Sequence, residues 1–316
     1  MFKNLDIMTK GFKIALNLAI FLLFIGFACY IAVSVGKKDF RNYAVIEQSD
    51  ESFESPCVYV ASFELPEEIN RFDLYGGKLY ISAGQSIYIF DKKANRLGNF
   101  LAEPDVRDIT IHGDDIYLLY RARIVVTDTY GNPVRQWEAC SELSDYCSFV
   151  IVGEYVFVTD VENKNICKYT TDGNFVKFIK SPDSFVIPSY SFDIDSWNDT
   201  VYCVNSGRHR IESYTLNGDF IAAFGSAGAE AGSFAGCCNR VYISFTDCGK
   251  LITSEKGIPR VSCFERNGKI NAVWLDGKML HNGNKASEVK SDGEKLFIAG
   301  KNTITIYSNE QFIINN

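Results

Sequence analysis

The chain has 316 residues, 47% of them hydrophobic and 22% charged, an ordinary globular balance with material for a large core. Its net charge is −7; the first 36 residues contribute +2 (Lys3, Lys10 and Lys13 against Asp6), which leaves −9 on the remainder. That acidity excludes a nucleic-acid binder, which needs a basic footprint, while 24 Phe and 17 Tyr favour strands over helices.

Residues 1–13 read as a short basic tail. From Ile14 to Val35 there are 22 residues without a charge, and Asn17 and Ser34 are the only strongly polar ones. As a helix this stretch spans roughly 33 Å, enough for a hydrocarbon core of about 30 Å. A cleaved signal peptide has a shorter apolar core of about 7–15 residues. Ala32-Val33-Ser34 is a weak cleavage site, and Gly26-Phe27-Ala28 ahead of Cys29 resembles a lipobox poorly. A transmembrane helix over residues 14–36 is therefore expected, giving a single-pass membrane protein. Lys3, Lys10 and Lys13 before the span balance Lys37, Lys38 and Arg41 after it, so flanking charge does not set orientation. A short basic tail before a long folded domain is a signal-anchor arrangement, which places that domain outside the cytoplasm. Residues 37–56 are polar, mixed in charge and end in an acidic Ser-rich run, a stalk.

Beyond the stalk a strand is expected at 57–65, and then a pattern repeats six times. Its clearest marker is an apolar triplet: Leu79-Tyr80-Ile81, Ile116-Tyr117-Leu118, Val156-Phe157-Val158, Val201-Tyr202-Cys203, Leu251-Ile252-Thr253 and Leu296-Phe297-Ile298. The central residues are spaced by 37, 40, 45, 50 and 45. Gly77, Gly113, Gly153, Gly249 and Gly293 supply a turn just upstream of five triplets, and Asn198-Asp199 supplies it in the fourth copy. A second turn recurs at Gly131, Gly173, Gly218 and Gly268, and fourth strands end on Phe100, Trp137, Phe178, Phe224 and Trp274. The sixth copy lacks a fourth strand after Tyr307. Residues 57–65 supply it most economically, and circular closure removes free sheet edges. The expected fold is all-β, a six-bladed β-propeller over residues 57–312 with blade six closed by an N-terminal strand.

The run from Val201 to Gly218, apolar-Tyr-x-Val-Asn-Ser-Gly-x-His-Arg-Ile-x-x-Tyr-x-x-x-Gly, resembles the NHL repeat, and the likeness extends through Phe224-Gly225 to Gly232-Ser233-Phe234. The third and fifth copies share it in part. This resemblance implies a recognition, scaffold or sensor domain. A minority of NHL-like propellers are copper- or zinc-dependent lyases, which need several inward-facing His ligands. This chain has only His112, His209 and His281, and only His209 is expected at the channel mouth. The fifth copy, with Gly236-Cys237-Cys238-Asn239 and Ser254-Glu255-Lys256-Gly257, resembles a bacterial subgroup carrying a Cys-Cys-Asn and Ser-Glu-Lys-Gly signature.

In a propeller, loops between second and third strands share one face with loops joining successive blades. That face should gather Asp160, Asn205, Arg208, His209, Glu255, Lys256 and Arg260 as ligand-binding candidates near blades three to five. Against this, Arg208 and His209 suit solvated turn positions, and Glu255 can pair with Lys256, Arg260 or Arg210. Cys237 and Cys238 suggest a redox or metal centre beside Lys256 or Arg260, since a nearby cation lowers a thiol pKa. Adjacent cysteines without a third ligand are poor chelators, and buried Cys is common apolar filler. Cys140 and Cys147 flank one loop and are the pair expected to form a disulfide in an oxidising compartment. No nucleophile elbow, phosphate loop or dinucleotide fingerprint is present. The reading is a membrane-anchored binding, scaffold or sensor module with a protein, peptide or glycan partner and no cofactor. The alternative is a redox or metal-binding protein using Cys237 and Cys238.

Overall fold

The computed structural model describes residues 18, 20–23, 25–26, 55–236, 240–280 and 287–309. Residues 18, 20–23 and 25–26 are helical and exposed, and no helix among the described residues is long and apolar enough to cross a membrane. Most of the expected span at 14–36, and the stalk up to residue 54, lie outside the described residues.

Between Cys57 and Asn309 the chain forms six four-stranded antiparallel sheets, the six blades of a propeller. In blades one to five the strands follow chain order from the channel outward. Every apolar triplet falls in a second strand, and all six are buried throughout. These strands are apolar on both faces because each sheet is sandwiched between its two neighbours. Fourth strands such as Pro133–Glu138 alternate between exposed and half-buried residues, as expected of an outer strand with solvent on one side. Blade six is completed by Cys57–Glu64, which runs antiparallel to Thr303–Asn309 from Cys57 opposite Asn309 to Glu64 opposite Thr303. The ring is thus closed by backbone hydrogen bonds between its two ends.

The core is divided into six, each part shared by successive blades. Tyr80 and Ile87 of blade one pack with Ile109, Ile116 and Leu118 of blade two, and the same scheme recurs around the ring. Blade six meets blade one through Phe297 and Ile304 against Phe72 and Leu79. A second contact recurs at the rim. The turn between third and fourth strands carries Gly131, Gly173, Gly218 or Gly268, each with positive φ, and a Cβ there would collide with Phe100, Trp137, Ile179 or Phe224 of the preceding blade. In blade three the fourth strand ends at Ile179, one residue beyond the expected Phe178, and Ile179 fills this role. Glycine is required twice over, for a φ of +87° at Gly268 and for the ring of Phe224 beneath it. Gly268→Ala should therefore destabilise the domain by about 2–4 kcal/mol in chemical denaturation. Gly98→Ala, which meets open space, should change it by no more than about 0.5 kcal/mol. Equal effects would contradict this packing role.

Candidate binding site at the axial mouth

The inner strands are Ile69–Tyr75, Asp108–His112, Tyr146–Val152, Ile194–Trp197, Val241–Phe245 and Val289–Ser291. Side chains alternate along a strand, so every second residue faces the axis. One tier of the channel carries Arg71, Asp108, Ser148, Asp193 and Glu288; two residues further along lie Asp73, Thr110, Val150, Asp195 and Lys290. Four of these carboxylates do more than line the channel, because each accepts a backbone N–H from the next blade, whereas Asp195 accepts Ser196 N of its own strand at 2.7 Å. Asp73 takes Ile111 N at 3.0 Å, Asp108 takes Phe149 N at 3.1 Å, Asp193 takes Ile243 N at 2.8 Å, and Glu288 takes Phe72 N at 2.8 Å. Four of the six blade junctions are tied this way.

Their charge is gathered by one buried side chain. Arg71, from blade one, reaches across the channel to Asp193 of blade four at 2.9 Å. It also meets Glu288 of blade six at 3.4 Å and Asp108 of blade two at 3.9 Å, with its guanidinium 4.6 Å from the Tyr242 ring of blade five. Burial disfavours its charge, but these carboxylates outweigh that and hold the guanidinium more firmly protonated than usual. One cation does not neutralise three carboxylates. Burial pushes the Glu288 carboxyl up to about 8 despite Arg71, and raises Asp108 as well. Below them, burial lifts Asp195 to about 6 against the pull of Lys290, 4.0 Å away.

Arg71, Asp193 and Glu288 form the floor between two cavities. The lower one is about 190 Å³. The upper one is about 1330 Å³ and opens among the loops that join blades and the loops between second and third strands. Exposed cations stand on its rim at Arg121, Arg240, Lys256 and Lys301, with Glu68 and Asp105 as the exposed acids among the described lining. Arg107 is committed to buried Asp145, which also accepts a hydrogen bond from Tyr190 Oη at 3.0 Å. Ser189 and Tyr190 both adopt left-handed backbone, with φ of 60° and 56°. Non-glycine residues there cost about 1 kcal/mol or more each, and the strain presents the half-exposed Tyr190 ring to the mouth.

Of the seven ligand-binding candidates read from sequence, Lys256 lines this cavity and the other six do not. Asp160, Asn205 and Glu255 occupy the same place at the ends of second strands, and all are fully buried. Each ties down the connection from the preceding blade. Asp160 accepts from Asp145 N at 3.1 Å, while Asn205 accepts from Val186 N at 2.9 Å and donates to Ser184 O. Glu255 binds Arg260 through two bonds of 2.9 and 3.0 Å, and Arg260 donates onward to Ala229 O and Glu230 O. Arg208 is exposed and donates to Asp183 O. His209 bonds Phe234 O at 2.9 Å through Nδ1, beside a crevice of about 10 Å³. Lys256 N donates to Arg240 O at 3.0 Å, which joins the second-to-third connection of blade five to the residue just ahead of its inner strand. Cys237, Cys238 and His281 lie outside the described residues. Cys140 and Cys147 are both free thiols, which corrects the expected disulfide. Cys147, at the start of an inner strand, points toward the axis and Tyr190 O, 3.3 Å away, whereas Cys140 meets the third strand of blade three.

No family model matches the chain, and no curated protein matches it in sequence. Solved structures do. Virginiamycin B lyase from Staphylococcus aureus aligns over 78% of this chain and 98% of its own, at 14% identity and a TM-score of 0.57. A protein of unknown function from Bacteroides thetaiotaomicron aligns over 81% and 72%, at 13% identity and 0.59. The propeller domain of Cps50 (Swd1) from Myceliophteria thermophila aligns over 80% and 99%, at 9% identity and 0.55. These likenesses establish the six-bladed propeller fold.

The raised Glu288 carboxyl makes stability depend on pH. Between about 4.5, its ordinary value, and about 8, the folded protein holds a proton that the unfolded chain has released. Stability from this group is therefore greatest below that window and is lost as pH rises through it. Glu288→Gln keeps an acceptor for Phe72 N and removes the titration. Relative to the parent, it should gain at least about 1 kcal/mol between pH 5 and pH 8.5. Parallel stability curves would contradict the assignment.

Proposed function

We propose that this chain is a membrane-tethered, NHL-like propeller whose axial mouth binds an anionic group on a protein, peptide or glycan partner. The observation that carries this reading is a charge reversal. A chain with net charge −7 sets four exposed cations around a cavity of about 1330 Å³. Four cations against two exposed acids, Glu68 and Asp105, leave this rim at +2, and such an excess of one sign focuses the field and concentrates oppositely charged ligand. Tyr190 adds an aromatic surface, and the floor of Arg71, Asp193 and Glu288 is a rigid base already satisfied by its own ion pairs. The uncharged stretch Ile14 to Val35 supports a tether, with the propeller on the extracytoplasmic side. The partial NHL pattern from Val201 to Gly218 supports a recognition role; the likeness to a lyase and to the Cps50 (Swd1) propeller domain is one of fold and does not choose between chemistries.

A second reading, a redox or metal centre at Cys237 and Cys238, draws support from Arg240, which lines the mouth two residues after Cys238, and from Lys256 beside it. One set of measurements separates the two. Carboxylate-rich peptides and uronic-acid oligosaccharides should bind the purified full chain more tightly than neutral counterparts, and less tightly as salt is raised. Arg240→Ala with Lys256→Ala should weaken that binding at least about tenfold, or about 1.4 kcal/mol. Arg208→Ala, away from the cavity, should leave it unchanged. Binding that ignores the double substitution would overturn the mouth reading. Stoichiometric metal lost on Cys237→Ser with Cys238→Ser would favour the second.

A further inference from the structure

Blade two hands the chain to blade three through a short connection that carries Cys140, just past the outer strand Pro133–Glu138. Cys167 lies in the third strand of blade three, Asn165–Thr170, and is fully buried. Their Sγ atoms are 3.6 Å apart, in van der Waals contact. The approach is held from both sides. The backbone N–H of Cys140 donates to Tyr169 Oη at 3.0 Å, and that hydroxyl shares a 2.5 Å hydrogen bond with Tyr146 Oη. Tyr146 and Tyr169 are buried in the core between these two blades, so the cysteine-bearing connection is docked against the strand.

Cys167 Sγ also donates to Asn165 Oδ1 at 3.4 Å, and two other described thiols have oxygen neighbours. Cys147 meets Tyr190 O, and Cys248 lies 3.1 Å from Thr246 Oγ1. A disulfide needs sulfurs about 2.0 Å apart, so the Cys140–Cys167 pair, now at 3.6 Å, has to close the remainder.

We propose that Cys140 and Cys167 form a reversible disulfide by exchange with a low-molecular-weight disulfide. Cys140 is the exposed sulfur and meets the oxidant first. Its thiolate attacks one sulfur of the small disulfide, forming a mixed disulfide and releasing one small thiolate. Cys167 then loses its proton and attacks the Cys140 sulfur, expelling the second small thiolate. Two protein thiols are oxidised by two electrons while the small disulfide is reduced to two thiols. Burial raises the Cys167 thiol above its ordinary value, so its thiolate is scarce until the mixed disulfide brings the reacting sulfur beside it. The bond closes a loop of 26 intervening residues that includes Tyr146 and Cys147 at the mouth. It stands on different residues from the anion-binding rim and does not depend on that reading.

Peptide mapping of the purified full chain, equilibrated with oxidised glutathione and then alkylated, tests the proposal. Trypsin releases Cys167 in Asn165–Lys168, and cleavage after Glu142 separates Cys140 from Cys147. The expected result is a Cys140–Cys167 linked peptide in the parent and in Cys147→Ser, absent from Cys140→Ser. Reduction should lower the thermal midpoint on the order of 5–10 °C in the parent and leave Cys140→Ser unmoved. Recovery of Cys140 chiefly as the glutathione mixed disulfide, as the alkylated thiol or linked to another cysteine would overturn the proposal.

Discussion

Arg71 is the side chain on which the channel depends. Closing six sheets into a ring forces the polar residues of six inner strands into one narrow, water-poor space. Four carboxylates there are fixed by the N–H groups they accept from neighbouring blades. They bring negative charge that burial penalises, and Arg71 spans the axis to offset it at Asp193, Glu288 and Asp108. A buried ion pair contributes little net stability against an apolar alternative, yet removing one partner is costly because the others stay buried and uncompensated. What such a network supplies is definition. Blades one, two, four, five and six are held in fixed relation by contacts to a single guanidinium.

The mouth inherits its character from that floor. Because Arg71 is already saturated by carboxylates, positive charge available to a ligand must come from the rim, and Arg121, Arg240, Lys256 and Lys301 lie there on connecting loops. The loops are not loose. Buried Asp160, Asn205 and the Glu255–Arg260 pair each fasten the connection that leads into their own blade. Recognition residues on loops held by a rigid scaffold are a common division of labour. The left-handed pair Ser189-Tyr190 is one place where backbone strain accompanies a side chain presented to the cavity.

The fold was legible because its signal is local. Each blade needs a second strand apolar on both faces and a turn glycine a few residues earlier, and both recur at intervals of 37 to 50 residues. Even the closing strand was legible, since the sixth copy ends one strand short. The site was not, because it is assembled across blades. Arg71, Asp193 and Glu288 are far apart in the chain and unremarked within their own strands; only a common inner-strand register unites them. A search for polar residues at matching inner positions, once the strands were assigned, would have found this ring. Asp160, Asn205 and Glu255 are polar residues at loop ends, yet Asp160 and Asn205 turn inward to accept buried backbone N–H groups and Glu255 turns inward to pair with Arg260. Cys140 and Cys147 are near in sequence, but Cys140 lies in the connection between blades and faces the third strand of blade three, while Cys147 lies in the inner strand Tyr146–Val152 and faces Tyr190 O.

A double-mutant cycle on Arg71 and Asp193, read by denaturant unfolding, tests the central role of the guanidinium most directly. Arg71→Met should cost about 3–5 kcal/mol by leaving carboxylates buried without their cation. Adding Asp193→Asn should return part of that loss, giving a coupling of at least about 1.5 kcal/mol. Additive losses, within about 0.5 kcal/mol, would show that Arg71 is not the interaction that holds the channel together.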